Sequence, residues 1–334
     1  MDILERITPR NMADGISVGA PDDCGFDERL LSRLFKDIVA ESELIHGAVF
    51  ARHGKLFAEA YSGEFGADVL HPLLSVCKSI ASLLLGIAIQ QGQIESEDTH
   101  LLDFFPEIDE PDKREIRLSH VLTHTSGIDW CELGIPYDEP ANSHSAMENS
   151  PDWMRFVLTR PMAHAPGDVF VYNTGAYHLL SSVLQRATDI PADIFAEKFL
   201  FNPLGIEKLS WTRDAMGFPC IAGSAGGLSL APRSLLKIGL MILDGGFYDD
   251  KEIVDNGWLE RSMSPVVLAE RGLKYGYGWW SWQIRGIQCF SARGYGGQAL
   301  VIVPELDFAA VFTGLDLAKT KLWEKIFHRL LIEA

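Results

Sequence analysis

An α+β fold built on one antiparallel sheet is predicted by two features of this 334-residue chain: strand-like text at both ends and helical periodicity between them. A sheet assembled from the two termini, flanked by helices and carrying a mainly helical insertion, satisfies both. The division this implies is residues 1–92 with 211–334 for the sheet domain and 93–210 for the insertion, with a cleft between them. Hydrophobic residues make up 47% of the chain, enough for a sizeable core.

Taken in order, Leu30, Leu31, Leu34, Phe35, Ile38 and Val39 recur at helical spacing and predict an amphipathic helix from Phe26 to about Ser42. "HGAVFAR" and "KLFAEAYSG" flank His53-Gly54, the pattern of an antiparallel hairpin. The apolar run to Ile89 reads as a helix starting near Ser75, followed by long loops near 93–117 and 129–149. Ser150 as N-cap and Pro151 as first helical residue open "DWMRFVLT", and "TGAYHLLSSVLQRAT" is periodic from Ala176. "AGSAGGLSLA" leads into the helix "PRSLLKIGLMILDGG". "YGYGWWSWQ", "IQCFSA" and "QALVIVPELDFAAVFTG" return to strand, with a turn at Pro304 to Asp307, and a helix over about 318–333 closes the chain.

A formal charge of −17 with pI near 5.0 argues against nucleic acid and anionic membrane surfaces as partners, because both require clustered cations. Five widely spaced cysteines without a CxxC pair suggest reduced, mostly buried thiols rather than a disulfide framework or a zinc site. The amino terminus lacks a basic segment followed by an apolar one, and the longest apolar stretch is too short to span a bilayer. A cytoplasmic protein is expected.

Chemistry enters with "LLSVCKSIASLLLGIAI", where Ser75 and Lys78 stand three apart and so share a helix face. Enclosed by Leu73, Leu74, Ile80 and Leu83, Lys78 would have its ammonium form disfavoured and could take a proton from Ser75. The tetrapeptide alone is better read as a chance motif whose lysine snorkels to water. "AGSAG" at 222–226 nearly matches a nucleophile elbow but lacks its first glycine, and reads as a turn into a strand. His120 and His124 are spaced like zinc ligands without the glutamate of H-E-x-x-H, and read as structural. Cys77 points to a different helix face from Ser75 and reads as core. Tyr275, Tyr277, Trp279, Trp280 and Trp282 alternate at strand spacing, the pattern of core residues.

"LLSVCKSIASLLLGIAIQQGQI", "LSHVLTHTSGI", "PGDVFVYNTGAYHLLSSVL", "FLFNPLGI" and "GYGGQALVIVPELDFAAVFTG" occur in an order that resembles the class C β-lactamase and penicillin-binding-protein-like serine hydrolases. The tone of "YNTGAYHLL" and "GYGGQ" is nearest to esterase and 6-aminohexanoate-dimer-hydrolase-like members. The resemblance covers about residues 25 to 330. It implies the β-lactamase/transpeptidase-like fold, with Ser75 as acylated nucleophile, Lys78 as its partner and Tyr172 as the tyrosine of the second motif. A nearby ammonium would favour the Tyr172 phenolate. Backbone amides of Ser75 and Tyr295 would hold the oxyanion.

Two departures bear on specificity. The usual Tyr-x-Asn puts asparagine two places on, where this chain has Thr174, with Asn173 adjacent to the tyrosine; the basic residue of the third motif becomes Ala292. Asn173, Thr174, Arg293, Gly294 and Gly296 are the residues assigned to substrate, with Arg293 able to replace the missing cation. The expected activity is hydrolysis of a small ester or amide through an acyl-enzyme, using no metal or organic cofactor. The alternatives are a β-lactamase or D-Ala-D-Ala carboxypeptidase-like peptidase, or a catalytically silent binding or scaffold protein of the same fold.

Overall fold

The strand groups from the two ends of the chain meet along one seam. In the computed structural model, which describes residues 7–40, 44–317 and 321–333, strand Ile45–Arg52 pairs antiparallel with Phe308–Gly314, Val49 opposite Val311 and Phe50 opposite Ala310. Lys55–Tyr61 flanks the first of these, and Gln298–Val303, Ile287–Gly294, Trp280–Ile284, Lys274–Tyr275 and Val267–Leu268 follow beyond the second. The two-residue strand Ser17–Val18 adds parallel to Lys55–Leu56 and completes nine strands among the described residues.

Every residue of Gln298–Val303 and Phe308–Gly314 is buried, because both faces of the sheet are covered. Side chains alternate across a strand. Val49, Leu300, Ile302, Ala309 and Val311 therefore pack on one side with helices Cys77–Gln90 and Pro232–Leu243, whereas Ala48, Phe50, Val301, Ala310 and Phe312 face helices Glu28–Ala40 and Leu322–Glu333. Each large apolar side chain so enclosed contributes about 1.5–3 kcal/mol. The amphipathic helix is described to Ala40, and its expected end at Ser42 lies outside the described residues, as do 318–320 of the last helix.

Between 93 and 208 the described elements are helical, with the long helix Thr174–Thr188 at the centre. A second, three-stranded sheet of His71–Pro72, Leu228–Leu230 and Leu209–Trp211 ties the approach to Ser75 both to the strand after "AGSAG" and to the strand that follows the helical segment. No helix among the described residues is long and apolar enough to cross a membrane.

Three local expectations are corrected. The helix Trp153–Leu158 is capped by Asp152, whose carboxylate accepts the Arg155 N–H at 2.9 Å, so Ser150 and Pro151 precede it. The segment 129–149 is not all loop: Ser143–Glu148 is a helix capped by Asn142. The aromatic run is not one strand, since Lys274–Tyr275 and Trp280–Ile284 are separated by a turn. Gly278 takes φ 86° there, and a Cβ on Gly276 would lie 2.4 Å from the Ser262 carbonyl.

Candidate active site

Ser75 follows a strained backbone position. Leu74 has φ 51°, in the left-handed region that β-carbon residues seldom adopt. Leu74–Val76 form a 3-10 turn that runs directly into helix Cys77–Gln90. Residues three apart eclipse in such a turn, which sets Lys78 over Ser75. Lys78 Nζ donates to Ser75 Oγ at 3.0 Å and to the Ala222 carbonyl at 2.7 Å. The lysine is 1% exposed, and burial draws its pKa down to about 8 against the opposing charge of Glu132.

Tyr172 completes a close group. Lys78 Nζ lies 4.9 Å from the centroid of its ring, and Ser75 acts on its hydroxyl in the direction that favours the phenolate. The phenolate expected beside an ammonium is reversed here. Burial, then Tyr275 and Glu132, push the phenol well above its ordinary value, outweighing the lowering by Ser75.

Two glycines press this turn into place. Gly223 has φ 94°, and a Cβ there would lie 2.2 Å from the Leu74 carbonyl; a Cβ on Gly294 would lie 2.4 Å from the Leu73 carbonyl. The "AGSAG" turn and the end of strand Ile287–Gly294 thus touch the Leu74–Val76 turn backbone to backbone, with Tyr295 next in sequence at the rim. Gln298 braces that rim, donating to the carbonyls of Tyr295 (3.2 Å) and Gly314 (2.6 Å) and accepting the Gly314 N–H (3.1 Å). Gly296, at φ 78°, makes the tight turn between them.

The remaining residues assigned to substrate are otherwise engaged. Asn173 is fully buried and caps helix Thr174–Thr188, its side-chain oxygen accepting the Ala176 N–H at 2.8 Å. Thr174, also buried, donates its hydroxyl to Glu132 Oε1 at 2.7 Å and its N–H to Oε2 at 3.0 Å. Arg293 lines the cleft, but its guanidinium lies between the rings of Trp282 (4.6 Å) and Trp323 (5.1 Å) and bonds Glu324 at 3.1 Å. Sequence reasoning missed Glu132, a lone glutamate in a loop with no motif around it. In the fold it is a buried carboxylate held by Thr174, Trp130 and Tyr137 on the wall of the cleft.

The cleft above Ser75 encloses about 830 Å³. Leu133, Ile135, Pro136, Tyr137, Trp280, Tyr295 and Leu317 give it a largely apolar wall, and the rings of Tyr137 and Tyr295 meet edge to face at 5.7 Å. A smaller cavity of about 530 Å³ beside Arg233 is lined by Ser234 and Lys237, also three apart on a helix, but Lys237 Nζ donates to the carbonyls of Leu204 and Gly205 at 3.0 Å each rather than to the serine.

Ser224 lies 2.9 Å from His144 Nε2, a contact of the kind a nucleophile and its base would make. Yet Ser224 is 1% exposed, and Glu148 approaches the same nitrogen at 3.5 Å, leaving Nδ1 unpartnered. The segment is a turn into strand Leu228–Leu230, as expected. Cys77 is core, its sulfur accepting the Leu228 N–H and its thiol pushed up to about 11 by burial. The helix carrying His120 ends at Leu122; His120 Nδ1 accepts the Arg117 N–H and His124 Nδ1 the Asn173 N–H, so neither presents that nitrogen to a metal.

Against known sequences, a profile of the Beta-lactamase family matches residues 31–316. The chain belongs to the Beta-lactamase family. It is a serine hydrolase of that family. The 6-aminohexanoate-dimer hydrolase of Paenarthrobacter ureafaciens is 25% identical over 284 residues, covering 78% of this chain and 70% of that one. Esterase EstB of Burkholderia gladioli is 28% identical over 203 residues, 58% of this chain and 51% of its own length, so the match spans about half of that esterase. Among solved structures, the hydrolase EstCE1 superposes with a TM-score of 0.72 at 16% identity, covering 91% of this chain and 98% of that one, a likeness of fold.

Proposed function

We propose that this serine hydrolase cleaves an ester or amide bond of a small, uncharged acyl substrate through an acyl-enzyme on Ser75. The observation that carries the reading is the 3.0 Å contact between Ser75 Oγ and a buried Lys78 whose pKa is drawn to about 8. Lysine as free amine takes the Ser75 proton while Oγ bonds to the substrate carbonyl carbon. Negative charge on the carbonyl oxygen meets the backbone N–H groups of Ser75 and Tyr295. As the bond to the leaving group breaks, the Tyr172 phenol gives its proton to that group and regains one from Lys78. Water, deprotonated by the same pair, then releases the acid and returns the proton to Ser75.

Substrate class follows from the charges around the cleft. Its lining cations, Arg293 and Lys321, both face Glu324, while Glu132, Asp138, Glu270 and Asp316 add negative charge. Among the described residues of that wall, a carboxylate-bearing penicillin or D-Ala-D-Ala peptide finds no uncommitted cation. Relatives named for an esterase and for a 6-aminohexanoate-dimer hydrolase support ester or amide cleavage. A panel of p-nitrophenyl esters, linear amides, nitrocefin and penicillin G tests this. Short-chain esters should be turned over, and the two lactams should be at least about tenfold poorer in kcat/KM, the consequence of an ionic contact not made. Efficient penicillin hydrolysis that collapses in Arg293→Ala would overturn the substrate class.

A further inference from the structure

Tyr172 is gripped on both sides by a single residue. The carbonyl of His124 accepts the Val171 N–H at 2.8 Å, and the imidazole Nδ1 of the same His124 accepts the Asn173 N–H at 3.0 Å. The Phe170–Val171 peptide, one residue before Tyr172, and the peptide that follows Tyr172 are therefore both tied to it. The His124 ring centroid lies 4.3 Å from that of Tyr172, with Tyr177 at 4.7 Å and Tyr275 at 5.1 Å around it.

This imidazole is neutral. Burial, then the charge of Lys78, holds its pKa well below the ordinary value. Because Nδ1 accepts, the hydrogen-bond network assigns the proton to Nε2, which has no hydrogen-bond partner. The residue is 1% exposed at φ 58°. Packing alone gives no reason for a left-handed backbone and an orphaned buried donor together. An apolar side chain would remove the orphan but leave the Asn173 N–H unpaired in its place. What the imidazole adds is an acceptor at the one peptide that follows Tyr172.

We propose that His124 is the positioning residue of Tyr172, holding the phenol aligned on Ser75 through the proton transfers. The proposal rests on Tyr172 acting as proton donor. Its test is steady-state hydrolysis of a short-chain p-nitrophenyl ester by the full chain carrying His124→Asn, His124→Leu, Tyr172→Phe, or the last two together, with circular dichroism as a check of fold. Asparagine tolerates the left-handed region and offers an oxygen near the place of Nδ1, whereas leucine offers none. His124→Leu should lower kcat about a hundredfold with KM within about threefold, and His124→Asn should recover most of that loss. Adding His124→Leu to Tyr172→Phe should slow the enzyme by less than about threefold more, because a clamp acts only through the phenol.

Should the leucine variant not fold, His124→Ser, too short to reach the Asn173 N–H, takes its place. A folded leucine or serine variant with wild-type kcat would overturn the clamp. So would an asparagine variant as slow as leucine, or full additivity in the double variant. Wild-type turnover by Tyr172→Phe, in contrast, removes Tyr172 from the chemistry whatever His124 does.

Discussion

With its pKa drawn down to about 8 by burial, Lys78 passes from ammonium to free amine within an easily assayed range. The proposed mechanism needs this base unprotonated, so activity should rise with pH. At pH 7 roughly one molecule in eleven carries the free amine and at pH 9 roughly ten in eleven, so kcat/KM for an ester should climb about tenfold between them and level off. A flat or falling profile from pH 6 to 10, corrected for spontaneous hydrolysis, would remove Lys78 as the base. Tyr172 has the opposite bias, its phenol held protonated. Tyr172→Phe should keep the fold and slow turnover by about two to four orders of magnitude. A fluorophosphonate probe should label Ser75; an adduct on Ser224 would move the nucleophile to the "AGSAG" turn.

At the scale of elements, the site depends on three segments approaching without side chains between them. A methyl group on Gly223 or Gly294 would overlap the Leu74 or Leu73 carbonyl, and these are backbone atoms that cannot swing aside. Gly223→Ala and Gly294→Ala should each destabilise the protein by about 1–3 kcal/mol and lower kcat in the molecules that still fold. Gly92 is the control: its φ is 69° but a Cβ there meets nothing within 4 Å. Gly92→Ala should reduce stability by about 1 kcal/mol and leave kcat at the wild-type value, as urea melts and ester assays would show.

Across the whole molecule, Arg233 braces the sheet against the amino-terminal segment. It bonds both oxygens of buried Glu59 on strand Lys55–Tyr61, at 2.8 and 2.5 Å, and Asp14 at 2.9 Å. Arg233→Met would leave Glu59 buried without its cation and should destabilise the fold by about 3–5 kcal/mol, read from denaturant midpoints. Lys78 acts in the opposite sense. Its folded pKa lies below the unfolded value, so the unfolded chain binds more protons from about pH 8 to about 10.5, and Lys78 makes stability rise with pH through that window. Below it the buried ammonium is a standing cost. Lys78→Met should therefore abolish turnover and yet raise Tm at pH 6.

Composition and periodicity determined the main elements, and the order of several motifs carried the resemblance to the family: the apolar runs in "KLFAEAY" and "QALVIV" place strands from the two ends of the chain, and the i, i+3 pair of Ser75 and Lys78 needs only a helical start. Those are local properties, written within a few residues. Only the tertiary structure decided which groups are free to act. Glu132 reaches Thr174 across 42 residues, Arg293 is committed to Glu324 across 31, and His124 grips the flanks of Tyr172 across 49. The direction of the Tyr172 shift was likewise set by burial and by Tyr275, not by its sequence neighbours. Burial and hydrogen-bond partnership are fixed by segments distant along the chain, so the protonation and availability of a side chain become legible only where those segments meet.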